Sequence, residues 1–495
     1  MNSELLRRAR DYERDHIPAV PPALLPRYHL CGGVGWINDP NGFSLYKGEY
    51  HLFFQYNPYD VRWDTMHWGH VKTRDFLRWE RLPAALAPDR DYDRDGCFSG
   101  SALETPDGRH LLMYTGVQKT LLPDGTVEEL QRQCLAFGDG RDYEKYPGNP
   151  VLDGSALPPG GSRKDFRDPK LWREGDGYFC VAGNRCPDGS GAVLLFQSPD
   201  ALHWRYAATL AASGNRFGRM WECPDFFPLD GKRVLLLSPQ EVRDHGPEFI
   251  DGNTTLCLIG ELDPESGALT REREQPIDYG LDFYAPQTVL AADGRRVMIA
   301  WMQYWNSVDY RPEPPLPFFG QLTVPRELRV RDGKLYQTPV RELESRRGAA
   351  VRCAGLTLRD ETRQVPGVSG RCLDLLLTIR PLPGEMLRRF TLTLAAADEH
   401  GLRLHYEPDQ NTVTVDRSGC GLPDSILNRR SFAVNADAAL RLRLLLDRWS
   451  LELFVNDGEQ AASFVLYAPQ ERTGIRFTAE GAAALDLEKY DLEFD

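Results

Sequence analysis

The sequence predicts an all-β protein, a five-bladed β-propeller followed by a C-terminal β-sandwich. Three observations carry this expectation. First, five segments share one grammar: a short polar or proline-containing opening, an apolar stretch, a glycine turn and a second apolar run. They open at Asp39, Ser99, Arg167, Glu222 and Tyr284, with turns KGE, PDG, GDG, LDG and ADG between runs rich in Val, Leu, Phe and Tyr, which is a hairpin signal. Second, TRDFLRWE at Thr73 and SPDALHWR at Ser198 follow the first and third units at similar distances. Strand units recurring at this size imply four-stranded blades around an axis. Any all-β protein carries regular glycine turns; the repeated polar openings are what favour a propeller. Third, the texture changes after about residue 340 to the period-2 alternation of half-buried antiparallel strands.

Taken in order, residues 1–26 read as a charged helical extension whose helix ends before Pro18. Residues 27–340 hold the five repeats, and QTPVRELESRRG reads as a linker or short helix. Residues 345–495 are assigned to the sandwich, with the strand LRLRLLLD, a hairpin turning at Asn456-Asp457-Gly458, and a strand-like tail YDLEFD.

Of the 495 residues 41% are hydrophobic, enough for a sizeable core, and the formal net charge is −13. That acidity argues against nucleic acid or an anionic membrane as partner. No apolar run has the ~18 residues of a transmembrane helix, and no apolar segment follows the basic N-terminus as in a secretory signal; a soluble, cytoplasmic protein is expected. Ten cysteines form no CxxC pair and are expected to be free thiols. His67 and His70 stand three apart in a strand-rich stretch, a poor ligand spacing, so packed histidines are expected, with neither metal nor cofactor.

Three repeats open on an acid: Asp39 after Asn38, Asp168 after Arg167, and Glu222 after Trp221. If each opening strand is innermost in its blade, these side chains converge at one end of the channel. Carboxyls crowded in a confined pocket cannot all ionise, because like charge and burial raise pKa. That separates a proton donor from an ionised nucleophile, the division of labour glycoside hydrolysis requires. Trp36, Trp63, Trp68, Trp221 and Trp301 offer flat faces for sugar C–H edges, and Asn38, Gln55 and Ser99 offer neutral hydrogen-bonding groups.

The stretch Trp36-Ile37-Asn38-Asp39-Pro40-Asn41-Gly42 resembles the signature of glycoside hydrolase family 32, the β-fructofuranosidases. Arg167-Asp168-Pro169 is similar to the family's RDP motif, and Glu222-Cys223 to its EC motif. FFQYNP at Phe53, MHWGH at Met66, FSGS at Phe98, FYAPQ at Phe283 and AWM at Ala300 also fit, as do Asp447, Ser450, Glu452 and Phe454 in the second domain. The resemblance implies a propeller–sandwich enzyme that cleaves β-fructosyl bonds with retention. It implies Asp39 as nucleophile at the anomeric carbon, Glu222 as acid/base, and Asp168 as stabiliser of the oxocarbenium-like transition state beside Arg167. It implies a fructosyl subsite shaped by Asn38, Gln55, Trp63, Phe98, Ser99 and Trp301. Retention places the two reacting carboxyls roughly 5–5.5 Å apart. The motif flavours are closest to bacterial hydrolases of sucrose or sucrose 6-phosphate. A phosphorylated substrate needs a cation at the glucosyl side, for which Arg62 and Arg94 are candidates. An exo-fructanase, a fructosyltransferase and a non-catalytic sugar-binding protein are the alternatives.

Overall fold

A computed structural model describes residues 3–243, 245–436 and 438–494. The chain starts with a helix, Glu4–His16, capped by Ser3, whose Oγ accepts the Leu6 N–H at 3.2 Å. Its buried face, Leu6 and Ala9, packs on Ala84 and Ala87 of the first blade. Arg10 Nε donates to the Ala84 carbonyl and Glu13 accepts the Ala84 N–H, both at 2.9 Å. A single 3₁₀ turn, Ile17–Ala19, follows.

Five four-stranded antiparallel sheets then form a propeller. Their innermost strands are Gly35–Tyr46, Cys97–Glu104, Arg167–Glu174, Met220–Leu229 and Tyr284–Leu290, each touching the next around the axis and the fifth touching the first. The glycine turns lie between the first and second strands of each blade. Lys47-Gly48 and Asp230-Gly231 place both turn residues at positive φ, the geometry that matches strand twist in a two-residue hairpin. The two TRDFLRWE-like segments adopt the same turn: Asp75 and Asp200 each accept N–H groups two and three residues on, around Phe76 and Ala201 at φ +61° and +65°.

The openings share one more feature. In all five inner strands the pairing register with the second strand slips at the opening. A bulge of this kind re-aims side chains. The bulged residues are Asp39, Ser99, Asp168, Cys223 and Ala285, each followed by proline or, after Ser99, glycine. Asp168, Cys223 and Ala285 stand at positive φ, +62°, +48° and +51°, a conformation that non-glycine residues rarely adopt. Below the bulges, polar residues tie the inner strands together. Ser101 Oγ donates to the Pro169 carbonyl, Lys170 Nζ to the Thr288 carbonyl, and Gln287 Nε2 to the Gly100 carbonyl. Asp225 accepts the Thr288 N–H and lies 3.0 Å from Lys170 Nζ.

The ring closes by a short parallel pairing: Phe318–Phe319, from the fifth-blade segment, lies against Gly35 and Trp36 of the first inner strand. Gly320 follows at φ +88°, and a Cβ there would lie 2.3 Å from the Ile37 carbonyl oxygen, so this seam requires glycine.

After a 3₁₀ segment at Arg341–Arg346, within the expected linker, the remaining strands stack as two antiparallel layers around a second apolar core. The last strand, Gly474–Asp491, serves both layers. Its first part pairs with Leu387–Ala397 and its second with Leu373–Pro381 and Val351–Arg359. Gly481, φ +92°, stands at the changeover, where a Cβ would lie 2.1 Å from the Met386 carbonyl oxygen. The expected turn at Asn456-Asp457-Gly458 joins Ser450–Val455 to Gln460–Val465.

Propeller and sandwich meet through buried charge. His29 lies between Asp447 and Glu452, 2.9 Å from each. Asp447 also accepts the backbone N–H groups of Arg27, Tyr28 and His29. Glu452 pairs with Arg326, which reaches Asp278 at 2.9 Å. Burial alone would lower the His29 pKa, but the two carboxylates outweigh it and raise it to about 9. Among the described residues no helix is long and apolar enough to cross a membrane, and all ten cysteines are free, seven buried and Cys186, Cys353 and Cys372 partly exposed.

Candidate active site

The five bulges open into a cavity of about 380 Å³ at one end of the propeller axis. The first three bulges each present two successive side chains, and the fourth and fifth present Glu222 and Tyr284. The bulged residues Asp39, Ser99 and Asp168 form the deeper tier. The residues just before them, Asn38, Phe98 and Arg167, form the wall with Glu222 and Tyr284. The three acids named from sequence thus face one space.

Asp39 is surrounded by groups that favour its anion. Ser99 Oγ donates to Oδ2 at 2.7 Å, Asn38 Nδ2 donates to Oδ1 at 3.1 Å, and the Cys223 thiol lies 3.4 Å from Oδ2. Asn38 is itself oriented by Trp36, whose Nε1 donates to Oδ1 at 2.7 Å. Burial and the Glu222 charge nevertheless push the Asp39 carboxyl above the usual range. Asp168 is shifted the same way, by burial first and then by Glu222 and Asp39, against the opposing pull of Arg167. Its Oδ2 accepts the Cys223 N–H at 2.9 Å, and its own N–H donates to Thr115 Oγ1 at 3.0 Å. Glu222 is held at both oxygens. Arg167 Nε and Nη2 reach Oε1 at 3.0 and 2.9 Å, while Gln240 Nε2 and the Tyr284 hydroxyl donate to Oε2, each at 2.7 Å.

Gln55 lines the cavity with its Nε2 donating to the Cys97 carbonyl at 2.9 Å. Trp63, 43% exposed, meets the Phe98 ring edge-on at 5.9 Å between centroids. The expectation for Trp301 is corrected. It ends the second strand of the fifth blade, fully buried, with its ring packed 5.7 Å from Trp36 and 5.0 Å from Trp305. It supports the wall from behind, and Trp305 lines the cavity instead. Trp36, Trp68 and Trp221 are likewise core residues with at most 1% exposure, packed in apolar clusters between neighbouring blades. Gln240, Asn253, Tyr284 and Trp305 also line the cavity and were missed from sequence. Tyr284 had a signal: it holds the same place in its repeat as Glu222 and Arg167.

Neither arginine proposed for a phosphate lines the cavity. Arg94 is tied to Asp91 at 2.8 Å and to the Lys119 carbonyl. His67 bonds to the Thr65 carbonyl and His70 to His51, and among the described residues no group of His, Cys, Asp and Glu could hold a metal.

Residues 29–339 match the glycosyl hydrolases family 32 N-terminal domain, and residues 342–492 match the family 32 C-terminal domain. The chain belongs to glycoside hydrolase family 32. It is 37% identical over 471 residues to a raffinose invertase of Escherichia coli, covering 93% of both chains. It is 35% identical over 480 residues to a sucrose-6-phosphate hydrolase of Zymomonas mobilis, covering 93% of this chain and 90% of that one. Among solved structures, a family 32 β-fructofuranosidase variant of Bombyx mori in complex with sucrose superposes with a TM-score of 0.83 at 31% identity, covering 100% of this chain and 99% of that one. A sucrose-6-phosphate hydrolase of Lactobacillus gasseri superposes with a TM-score of 0.83 at 25% identity, covering 100% and 97%. The family 32 enzyme is a glycoside hydrolase with the propeller–sandwich architecture read from the repeats.

Proposed function

We propose that this glycoside hydrolase cleaves the β-fructosyl bond of sucrose with retention, through a covalent fructosyl-enzyme on Asp39. The observation that carries this reading is the convergence of two carboxyls on one cavity, Asp39 on its floor and Glu222 on its wall. Asp39 receives donors at both oxygens, which favours an ionised nucleophile. Glu222 is fixed by Arg167, Gln240 and Tyr284 at the wall, where a leaving oxygen would arrive. Burial and like charge push the Asp39 and Asp168 carboxyls up. In the proposed reaction Asp39 attacks the anomeric carbon as its anion while Glu222 protonates the departing glucosyl oxygen. Glu222 then deprotonates the water that releases fructose, restoring both groups. Asp168, at the floor beside Asp39, stabilises the positive charge that develops on the ring.

The substrate in this reading is uncharged. Among the described residues lining the cavity the single cation is Arg167, already paired with Glu222 and 3.6 Å from Asp165. A phosphate there would lack a counter-charge. The test is initial rates on sucrose, sucrose 6-phosphate and a short inulin-type fructan, with folded Asp39→Ala protein as blank. Sucrose is expected to be the best of the three. A strong preference for sucrose 6-phosphate refutes the uncharged substrate, and more than a few per cent residual activity in the variant refutes the nucleophile.

A further inference from the structure

The inner strands that carry the active site at one end line a second cavity, of about 540 Å³, at the other. Its walls come from all five blades past the bulges: around Phe43, Ala102, Leu171, Phe226 and Val289. Most of that wall is apolar, including Trp172, Phe226 and Phe227. A concave space of this size, largely apolar with a few convergent polar groups, has the form of a small-molecule site.

Its charges do not balance. Lys170 and Arg296 both reach this end, and the buried carboxylate between them is Asp225 alone, with Lys170 taking it at 3.0 Å. Arg296 lies over the Phe227 ring at 4.5 Å, and its Nη1 reaches Thr288 Oγ1 at 3.5 Å. Its Nε is buried with no hydrogen-bond partner, and among the described residues no carboxylate pairs with it. Burial draws the Arg296 pKa down despite Asp225. Arg233, near Phe226, also has no ion-pair partner among the described residues. The wall also carries Arg173, 3.7 Å from Asp176, and the carboxylates Glu104, which accepts the Lys47 N–H, and Glu174, which is exposed at the rim. A desolvated cation without a counter-ion is costly, and an anionic ligand would supply one.

We propose that this far-end cavity binds a small organic anion, its acid group on Arg296 and Arg233 and its apolar body against Trp172, Phe226 and Phe227. The site is separate from the sugar cavity and takes a ligand of different chemistry. Calorimetry of the full chain with 2-naphthoate tests it, using naphthalene-2-methanol as uncharged counterpart and inorganic phosphate as an anion without an apolar body. One naphthoate per chain is expected, bound at least tenfold more tightly than either control and not displaced by fructose. Arg296→Met, which keeps the stem over Phe227, is expected to weaken naphthoate at least tenfold while leaving sucrose turnover unchanged, and Arg233→Met to weaken it less. Absence of binding to the wild-type protein, or binding unaltered in Arg296→Met and Arg233→Met, overturns the proposal. Phosphate binding as tight as naphthoate overturns the apolar part, and displacement by fructose overturns the separate site.

Discussion

Replacing Ser99 by alanine tests how the site keeps Asp39, the proposed nucleophile, ionised. The Ser99 hydroxyl donates to Asp39 Oδ2 at 2.7 Å, a short contact to a buried carboxylate. A hydrogen bond to a charged group contributes about 1.5–3 kcal/mol, and about 1.4 kcal/mol corresponds to one pH unit. Asn38 and Cys223 remain as donors and offset part of the loss, so the expected change is about one pH unit. The sign is fixed. The Asp39 pKa already lies above the ordinary aspartate value, because burial disfavours the anion. The proposed attack needs the anion, so kcat/KM falls as pH falls through that raised pKa. Losing a donor raises it further and moves the acid limb to higher pH. The assay is kcat/KM on sucrose across pH 4–8 for wild type, Ser99→Ala and Ser99→Thr. Threonine, which keeps the hydroxyl, should restore the limb. A uniform drop at every pH with the limb unmoved would refute the reasoning and assign the hydroxyl to the sugar instead.

Other expectations follow from the same geometry. Glu222→Gln should lower turnover of sucrose by about 10²–10⁴-fold but spare fructosides with good leaving groups, as rates on both substrate types will tell. His29→Ala, by stranding Asp447 and Glu452, should cost about 3–5 kcal/mol in chemical denaturation. Because the His29 pKa is raised from 6.5 to about 9, its contribution is full below pH 6.5 and disappears as pH rises through about 9; the gap from wild type should shrink accordingly. The lowered pKa of Asp447, held down chiefly by His29, is the same interaction viewed from the other partner, and the two are not added. Gly320→Ala should lower the melting temperature, since a left-handed backbone strains alanine by about 1–3 kcal/mol and its Cβ would crowd the Ile37 carbonyl; an unchanged melting point would show that the seam tolerates a side chain.

The parts of this molecule legible in the sequence are those written by local chemistry. Gly turns after Lys47 and Asp230 and the acids beside Pro40 and Pro169 announce the hairpins and openings, because backbone geometry there demands those residue types. Tyr284 was legible in principle, since aligning the five openings places it beside Glu222. Gln240 and Asn253 were not: they reach the cavity from the end of a second strand and from a loop, positions set by tertiary packing. The tryptophans misled for a related reason. Their type suits sugar stacking and core filling equally, and only strand facing decides. Trp301 and Trp36 face inward to each other, whereas Trp63 and Trp305 sit on connections over the cavity.

The seam between Gly35-Trp36 and Phe318-Phe319, with Asp447 gripping the N–H groups of Arg27, Tyr28 and His29, sets an order of assembly. A ribosome delivers the first blade early, but the partners that lock its inner edge and its lead-in emerge only near the end of the propeller and late in the sandwich. Until then the first blade has an open edge, and domains that wait on distant segments are the ones prone to misassembly. A nascent chain stopped before residue 318 would therefore carry all three carboxyls and still lack the closed ring that brings them to their final places. Closure of the ring is deferred until Phe318–Phe319 has been synthesised, and the hold on its lead-in until Asp447, within the last fifth of the chain.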